Sequence, residues 1–153
     1  MKFKNPIDFL KSEHGTSLVE LAFTLPLLML LLMGAVDFGR AFYMAVEVVG
    51  SAHAGAEYGA QNPTDTAGMK IAAQDDAPNV ASLSVATPTY GCECSDGTQY
   101  SASCTSQPTT CAYNVVYLVK VTASATYTPL VPWPGVPPSL TLSKTAQMRS
   151  GKS

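Results

Sequence analysis

Residues 15–36 read GTSLVELAFTLPLLMLLLMGAV, and this stretch decides the fold. Glu20 is the one charged residue within it, and Leu21–Val36 follow without any charge. A membrane span requires about 20 mostly apolar residues. A buried core helix would carry a polar stripe, whereas this stretch is apolar on all sides. The sequence therefore predicts a membrane-spanning helix.

The flanking charges indicate an orientation. Lys2, Lys4 and Lys11 precede the apolar run, whereas Asp37 follows it with Arg40 as the only positive charge nearby. Positive flanks stay on the cytoplasmic side of a membrane. We therefore expect a cytoplasmic N-terminus, with everything after Asp37 outside.

The first fifteen residues, MKFKNPIDFLKSEHG, are polar and too short to bury a face, which is typical of a leader. An ordinary secretory signal is cleaved after its apolar segment at an A-x-A-like site, and Met33 fits the first position of such a site before Ala35 poorly. Gly15 precedes the apolar run, and glycine suits a protease cleft that needs close backbone approach. A cut there would make Thr16 the N-terminus and Glu20 the fifth residue.

Glu20 would then lie in or near lipid, where an ionised carboxylate is costly unless it is paired. The free amine of Thr16 on a neighbouring subunit is a positive charge at the same depth. Pairing would relieve both desolvation penalties and set the axial register between subunits. The simpler interpretation is a glutamate in the headgroup layer, but Gly15 and the basic leader favour the register role.

The helical pattern continues beyond the span, to about Ala60, before Pro63 stops it. Pro26 is expected to kink or open the first half. An apolar stripe at steps of three and four is predicted to bury itself on a sheet. Its members are Phe38, Phe42, Ala45, Val49, Ala52, Ala56 and Ala60.

The remaining chain predicts a short second helix and a small antiparallel sheet. The helix falls between Thr64 and Asn79, with Thr64 or Asp65 as its cap. Alternating apolar and polar residues predict strands, of which Asn114–Thr128 is the clearest; the others are 81–85, 90–94 and Leu140–Arg149. The predicted fold class is α+β and pilin-like. Its parts are a leader (1–15), a transmembrane assembly half-helix (16–37) and an exported domain (38–153).

Four cysteines cluster in the predicted exported part, at Cys92, Cys94, Cys104 and Cys111. An even count in a small exported domain predicts two disulfides, with three possible connectivities between which the sequence does not choose. The alternative is a zinc site, but the spacing C-x-C-x9-C-x6-C fits paired zinc knuckles poorly.

Composition argues against several function classes. Charged residues are 13% of the 153, the formal net charge is −2, and no Lys/Arg cluster supports nucleic-acid binding. His14 lies in the predicted leader and His53 is the only other histidine, so we find no catalytic triad. Asp75 and Asp76 alone do not suit calcium. We expect no enzyme, no metal and no cofactor.

Three segments resemble the TadE-like pseudopilins of tight-adherence (Flp-type) pilus systems. They are Gly15–Glu20, Leu25–Tyr43 with its Asp-Phe-Gly-Arg after the span, and Ala54–Gly59. The cysteine region and the ending Leu140–Arg149 are also similar to that family. Many of these proteins carry an aromatic residue after the glutamate, where this chain has Leu21.

The resemblance implies a structural pseudopilin or minor pilin that a prepilin peptidase processes after Gly15. Its implied partners are that peptidase, other pilin subunits, the inner-membrane assembly platform and the lipid bilayer. Its implied role is assembly of a type IV pilus, and hence surface adhesion, from the bacterial inner membrane, with incorporation into an extracellular pilus. The alternative is a single-pass anchor that displays a disulfide domain without entering a filament.

Overall fold

The computed structural model describes residues 14–104, 111 and 114–151. The chain divides between Gly39 and Arg40 into two compact units. Of the predicted leader, only His14 and Gly15 fall within the described residues.

The first helix, α1, runs from His14 to Gln61, close to the predicted Thr16–Ala60. It passes through Pro26, and the expected kink there stays a prediction. One turn earlier, the Thr24 hydroxyl donates to the Glu20 carbonyl at 3.0 Å. The helix ends just before Pro63, which lacks the N–H that a further turn requires.

The second unit, which we call the exported unit after its predicted location, combines the second half of α1, a short helix α2 (Thr66–Asp76) and an antiparallel sheet. The described strands are β1 (Ser84–Val85), β2 (Thr89–Cys94), β3 (Tyr100–Ser101), β4 (Val115–Tyr127) and β5 (Leu140–Ser150). This confirms the predicted α+β class with a long helix, a short helix and a small antiparallel sheet. The two-residue strand β3 was not predicted.

Strand β4 is the centre of the sheet. On one side it pairs with β5 from Tyr117, opposite Ser150, to Tyr127, opposite Leu140. On its other side it pairs with β2 and, further along, with β1. Strand β3 continues the sheet beyond β2. Because every β4 residue has a partner on at least one side, this strand fixes the position of the others.

The core lies between one face of this sheet and the two helices of the exported unit. Alternate β4 residues face it, which follows from the period of two in a strand. The buried apolar members are Val48, Ala52, Ala56, Met69, Ala73, Ala77, Val80, Val85, Val119, Val121, Ala123, Ala125 and Ala146. The Ser51 hydroxyl, fully buried, donates to the Ala73 carbonyl at 2.6 Å and joins α1 to α2.

The predicted apolar stripe on α1 is correct at Ala52 and Ala56 and wrong at Phe42 and Val49, which are exposed. Phe38 is also exposed, whereas Ala45 and Ala60 are half-buried. The side of α1 that packs on the core is rotated from the predicted stripe toward smaller residues, because the helix approaches its neighbours closely there. A Cβ placed on Gly55 would lie 2.8 Å from the Met69 carbonyl oxygen and 2.9 Å from Val121 Cγ1. Bulky residues do not fit there.

Asp65 caps α2, one of the two residues predicted for that role. Its carboxylate accepts the Gly68 N–H at 2.9 Å and the Tyr58 hydroxyl at 2.8 Å. The Gly68 N–H, followed by the Tyr58 hydroxyl, holds the pKa of the Asp65 carboxyl below its ordinary value. The hydrogen bond that Tyr58 donates to Asp65 also raises the pKa of the Tyr58 hydroxyl. The cap therefore ties the start of α2 to α1.

Two disulfides, Cys92–Cys104 and Cys94–Cys111, pair all four cysteines. Cys92 and Cys94 are two positions apart in β2 and so lie on one face of the strand. The predicted disulfides are confirmed, and the structure supplies the pairing that the sequence left open. All four thiols are therefore in disulfides in the structure.

Between these two cysteines, Glu93 points to the opposite face and is buried. Its carboxylate forms a salt bridge with the Arg149 guanidinium, which is half-exposed. The pair connects β2 to β5 across β4. Sequence reasoning missed it because it depends on the register of both strands.

Candidate assembly helix

The predicted cleavage junction lies at the beginning of α1. Because α1 begins at His14, the Gly15–Thr16 peptide bond is part of the helix in the uncut chain. Thr16 and Glu20 are four residues apart in the sequence. Their axial separation is about 6 Å at 1.5 Å per residue. A positive amine formed at Thr16 would thus be one turn away from the Glu20 carboxylate.

Glu20 is exposed in the structure, as are its apolar neighbours Val19 and Leu21. The charge is therefore presented next to bulky apolar side chains, with Ser17 and Thr24 as the described polar residues within about one turn. In water this surface would be unfavourable, because each buried CH₂ is worth about 0.8 kcal/mol on leaving water. The apolar side chains around Glu20 are therefore suited to an apolar environment.

The apolar run has that character throughout. From Ser17 onward, α1 is the one helix among the described residues that is long and apolar enough to cross a membrane, with a hydropathy of 2.2. None of this most apolar window is buried. Phe23 is 77% exposed, and Leu27 and Leu31 are about as open as Leu18. The protein therefore carries a helix suited to single-pass membrane anchoring.

The sequence model of the family described as TadE-like protein matches residues 15–57. This segment is TadE-like. The match takes in Gly15, Thr16, Glu20 and the whole apolar run, and it continues through most of the exported half of α1. No curated protein and no solved structure matches the chain. The resemblance stated from the sequence is thus confirmed over the long helix.

Most of the exported domain lies outside the TadE-like segment, including α2, the sheet and both disulfides. Within the described residues, no group of three His, Cys, Asp or Glu side chains is placed to hold a metal ion. His53 is exposed on α1.

Sequence reasoning missed one feature of the TadE-like segment. In the exported half of α1, the side chains of Phe42, Tyr43 and Val46 point away from the core and are more than half exposed. On the core side of the same turns, Val48 is buried and Met44 packs against the core.

Proposed function

We propose that this chain is a structural pseudopilin or minor pilin of a tight-adherence type IV pilus, made as a precursor and cut after Gly15 by a prepilin peptidase. The observation that carries the proposal is the TadE-like match, which starts at Gly15 and takes in Glu20 and the full apolar run. The exposed apolar helix adds independent support, because it requires lipid or other apolar helices around it.

The proposed role of Glu20 is electrostatic. In hydrocarbon an unpaired carboxylate is strongly disfavoured, and the described part of α1 offers no basic residue between Ser17 and Gly39. The new amine of Thr16 is created by the cut itself. The Thr16 amine of one subunit would pair with Glu20 of its neighbour at only one axial offset between the two helices. This pairing would therefore set the register of assembly.

The apolar surface has two proposed environments in turn. Before assembly, lipid would cover it, with the N-terminus in the cytoplasm and the disulfide domain outside the inner membrane. In a filament, helices of other pilin subunits would replace the lipid. Because both environments are apolar, the exchange keeps the hydrophobic burial roughly constant, and the charge pair then selects between alternative packings.

The proposed partners follow from this route. The peptidase acts on the Gly15–Thr16 bond, the inner-membrane platform receives the cut subunit, and other pilin subunits surround its helix. Surface adhesion would be a property of the assembled pilus. The proposal needs no catalytic residue in this chain.

The role of Glu20 can be tested by comparing Glu20→Gln with Glu20→Asp in cells that assemble the pilus. A charge-assisted hydrogen bond is worth about 1.5–3 kcal/mol, so Glu20→Gln should lower the amount of sheared surface filament by roughly tenfold or more. Glu20→Asp keeps the charge and should retain part of it. Equal amounts of each variant in the inner membrane are the control for expression.

An outcome in which Glu20→Gln and Glu20→Ala leave filaments at the full level would contradict the register role. It would favour the alternative, a single-pass anchor whose domain never enters a filament, if the wild-type protein were also missing from sheared pili.

A further inference from the structure

The exported half of α1 carries an apolar surface that the core does not use. Phe42, Val46 and Val49 are spaced four and three residues apart and so share one side of the helix. They are 68%, 52% and 37% exposed, and Tyr43 beside them is 52% exposed. The buried Val48 and Ala52 lie on the other side. We call Phe42, Tyr43 and Val46 the outer collar.

The outer collar continues the membrane-spanning run, and its position can be estimated by counting residues. A hydrocarbon layer of about 30 Å takes 20 residues at 1.5 Å each. Counted from Leu21, directly after Glu20, this layer ends at Arg40; counted back from Val36, directly before Asp37, it begins at Ser17. The two counts place Phe42 about 3 to 9 Å beyond the hydrocarbon and Tyr43 about 1.5 Å further.

The headgroup layer on each side of a bilayer is roughly 5–8 Å thick. By these counts Phe42 and Tyr43 fall within this layer or a few ångströms outside it, whereas Val46, about 9 to 15 Å beyond the hydrocarbon, lies on its water side. Tyrosine is enriched at this depth because its ring is apolar and its hydroxyl is polar. Beyond Val49 the same side of α1 turns polar, with His53 and Glu57 exposed.

The nearest positive charge does not interrupt this surface. The Arg40 guanidinium lies 5.9 Å from the centre of the Tyr127 ring at the end of β4, and Tyr127 is buried. Arg40 is therefore engaged by the domain itself, which leaves the aromatic and apolar side chains of the collar facing outward.

We propose that Phe42 and Tyr43 of the outer collar dock into the outer headgroup layer of the membrane, so that the exported domain is held at the lipid surface before assembly rather than standing free on its helix. This rests on the membrane span within the proposed function. It does not depend on cleavage, on Glu20 or on entry into a filament.

Single-tryptophan variants of the full chain test the docking. Trp133 is the only tryptophan, so Trp133→Phe provides the background into which Phe42→Trp, Tyr43→Trp, Leu28→Trp or His53→Trp is introduced. Each protein is reconstituted in phosphatidylcholine vesicles with and without bromine near the headgroup end of the acyl chains. Leu28→Trp reports the span, and His53→Trp, about 20 Å or more beyond the hydrocarbon, reports water.

We expect Phe42→Trp and Tyr43→Trp to lose fluorescence in the brominated vesicles and to emit at shorter wavelength than His53→Trp, which should be unaffected. If both collar tryptophans behave like His53→Trp while Leu28→Trp is quenched, the collar proposal is overturned and the span stands. If Leu28→Trp is not quenched either, the span fails and the proposed function fails with it.

A second copy of the chain is the competing occupant. It would give short-wavelength emission at Phe42→Trp that bromine does not quench and that shifts toward the His53→Trp value as the protein is diluted into more lipid. That result would overturn the lipid proposal.

Discussion

The two halves of α1 are both apolar, yet they expose different side chains. In the first half, bulky residues such as Phe23 and Leu31 are open on every side. In the second half, the packed side is made of small residues such as Ala52, Gly55 and Ala56. Lipid has no fixed shape and accepts large side chains anywhere, whereas a folded sheet requires close and specific fit. Residue volume therefore separates the exposed apolar surface of α1 from the surface packed on the sheet, where hydropathy does not.

The comparison predicts that the disulfides stabilise the exported unit and have no effect on the stability of the first half of α1. Replacing Cys94 and Cys111 by serine removes a link across 17 positions, and a loop of that size is worth about 3 kcal/mol through the entropy of the unfolded chain. We expect the urea midpoint of the exported unit, followed by Trp133 fluorescence in detergent micelles, to fall accordingly. Helical circular dichroism from the first half of α1 should survive that transition. Loss of both signals together would show that the two regions unfold as one.

Two glycines on α1 provide a matched pair. A Cβ on Gly55 would meet a backbone carbonyl, whereas a Cβ on Gly39 has nothing within 4 Å. Overpacking costs about 1–3 kcal/mol, so Gly55→Ala should destabilise the exported unit by that amount in urea. Gly39→Ala should be neutral or stabilising by up to about 1 kcal/mol, the helix preference of alanine over glycine. If Gly55→Ala and Gly39→Ala changed the stability equally, the proposed difference in packing between the two halves of α1 would be wrong.

A smaller effect should appear in acid. Since hydrogen bonds hold the pKa of Asp65 below its ordinary value, protons bind the unfolded chain first. Asp65 thus stabilises the fold above its ordinary pKa, and this contribution is lost as pH falls through the lower folded pKa. Asp65→Asn keeps an acceptor for the Gly68 N–H but cannot titrate. The urea midpoint should therefore fall less between neutral pH and pH 3 in Asp65→Asn than in the wild type.

Asp96 supplies the control for that experiment. Its pKa is also lowered, chiefly by the Thr98 N–H, and it remains in the Asp65→Asn variant. Some acid sensitivity should therefore persist, and it should decrease further in the double variant with Asp96→Asn. An unchanged acid response in both variants would contradict the assignment.

Much of the architecture could be predicted from patterns that act locally. Alternation along β4 predicted Asn114–Thr128 against the observed Val115–Tyr127, and β5 was placed within one residue. The apolar run and Pro63 bounded α1 nearly as well. These features are set by period and by proline, which are properties of the sequence itself.

Features that depend on distant residues could not be predicted. The buried side of α1 was predicted from an apolar stripe that included Phe42 and Val49, but the positions of Met69 and Val121 over Gly55 decide it. The disulfide pairing and the Glu93–Arg149 salt bridge depend on strand register and loop path. The short strand β3 has too few residues for a period to be visible.

The mass of the mature N-terminal peptide tests the central claim most directly. The protein is isolated from cells that contain the cognate peptidase, and a catalytically inactive peptidase serves as the matched control. The account predicts a chain that starts at Thr16 in the first case and at Met1 in the second. A start at Met1 in both, or a start near Ala35, would contradict processing at Gly15 and with it the assignment of α1 as an assembly helix.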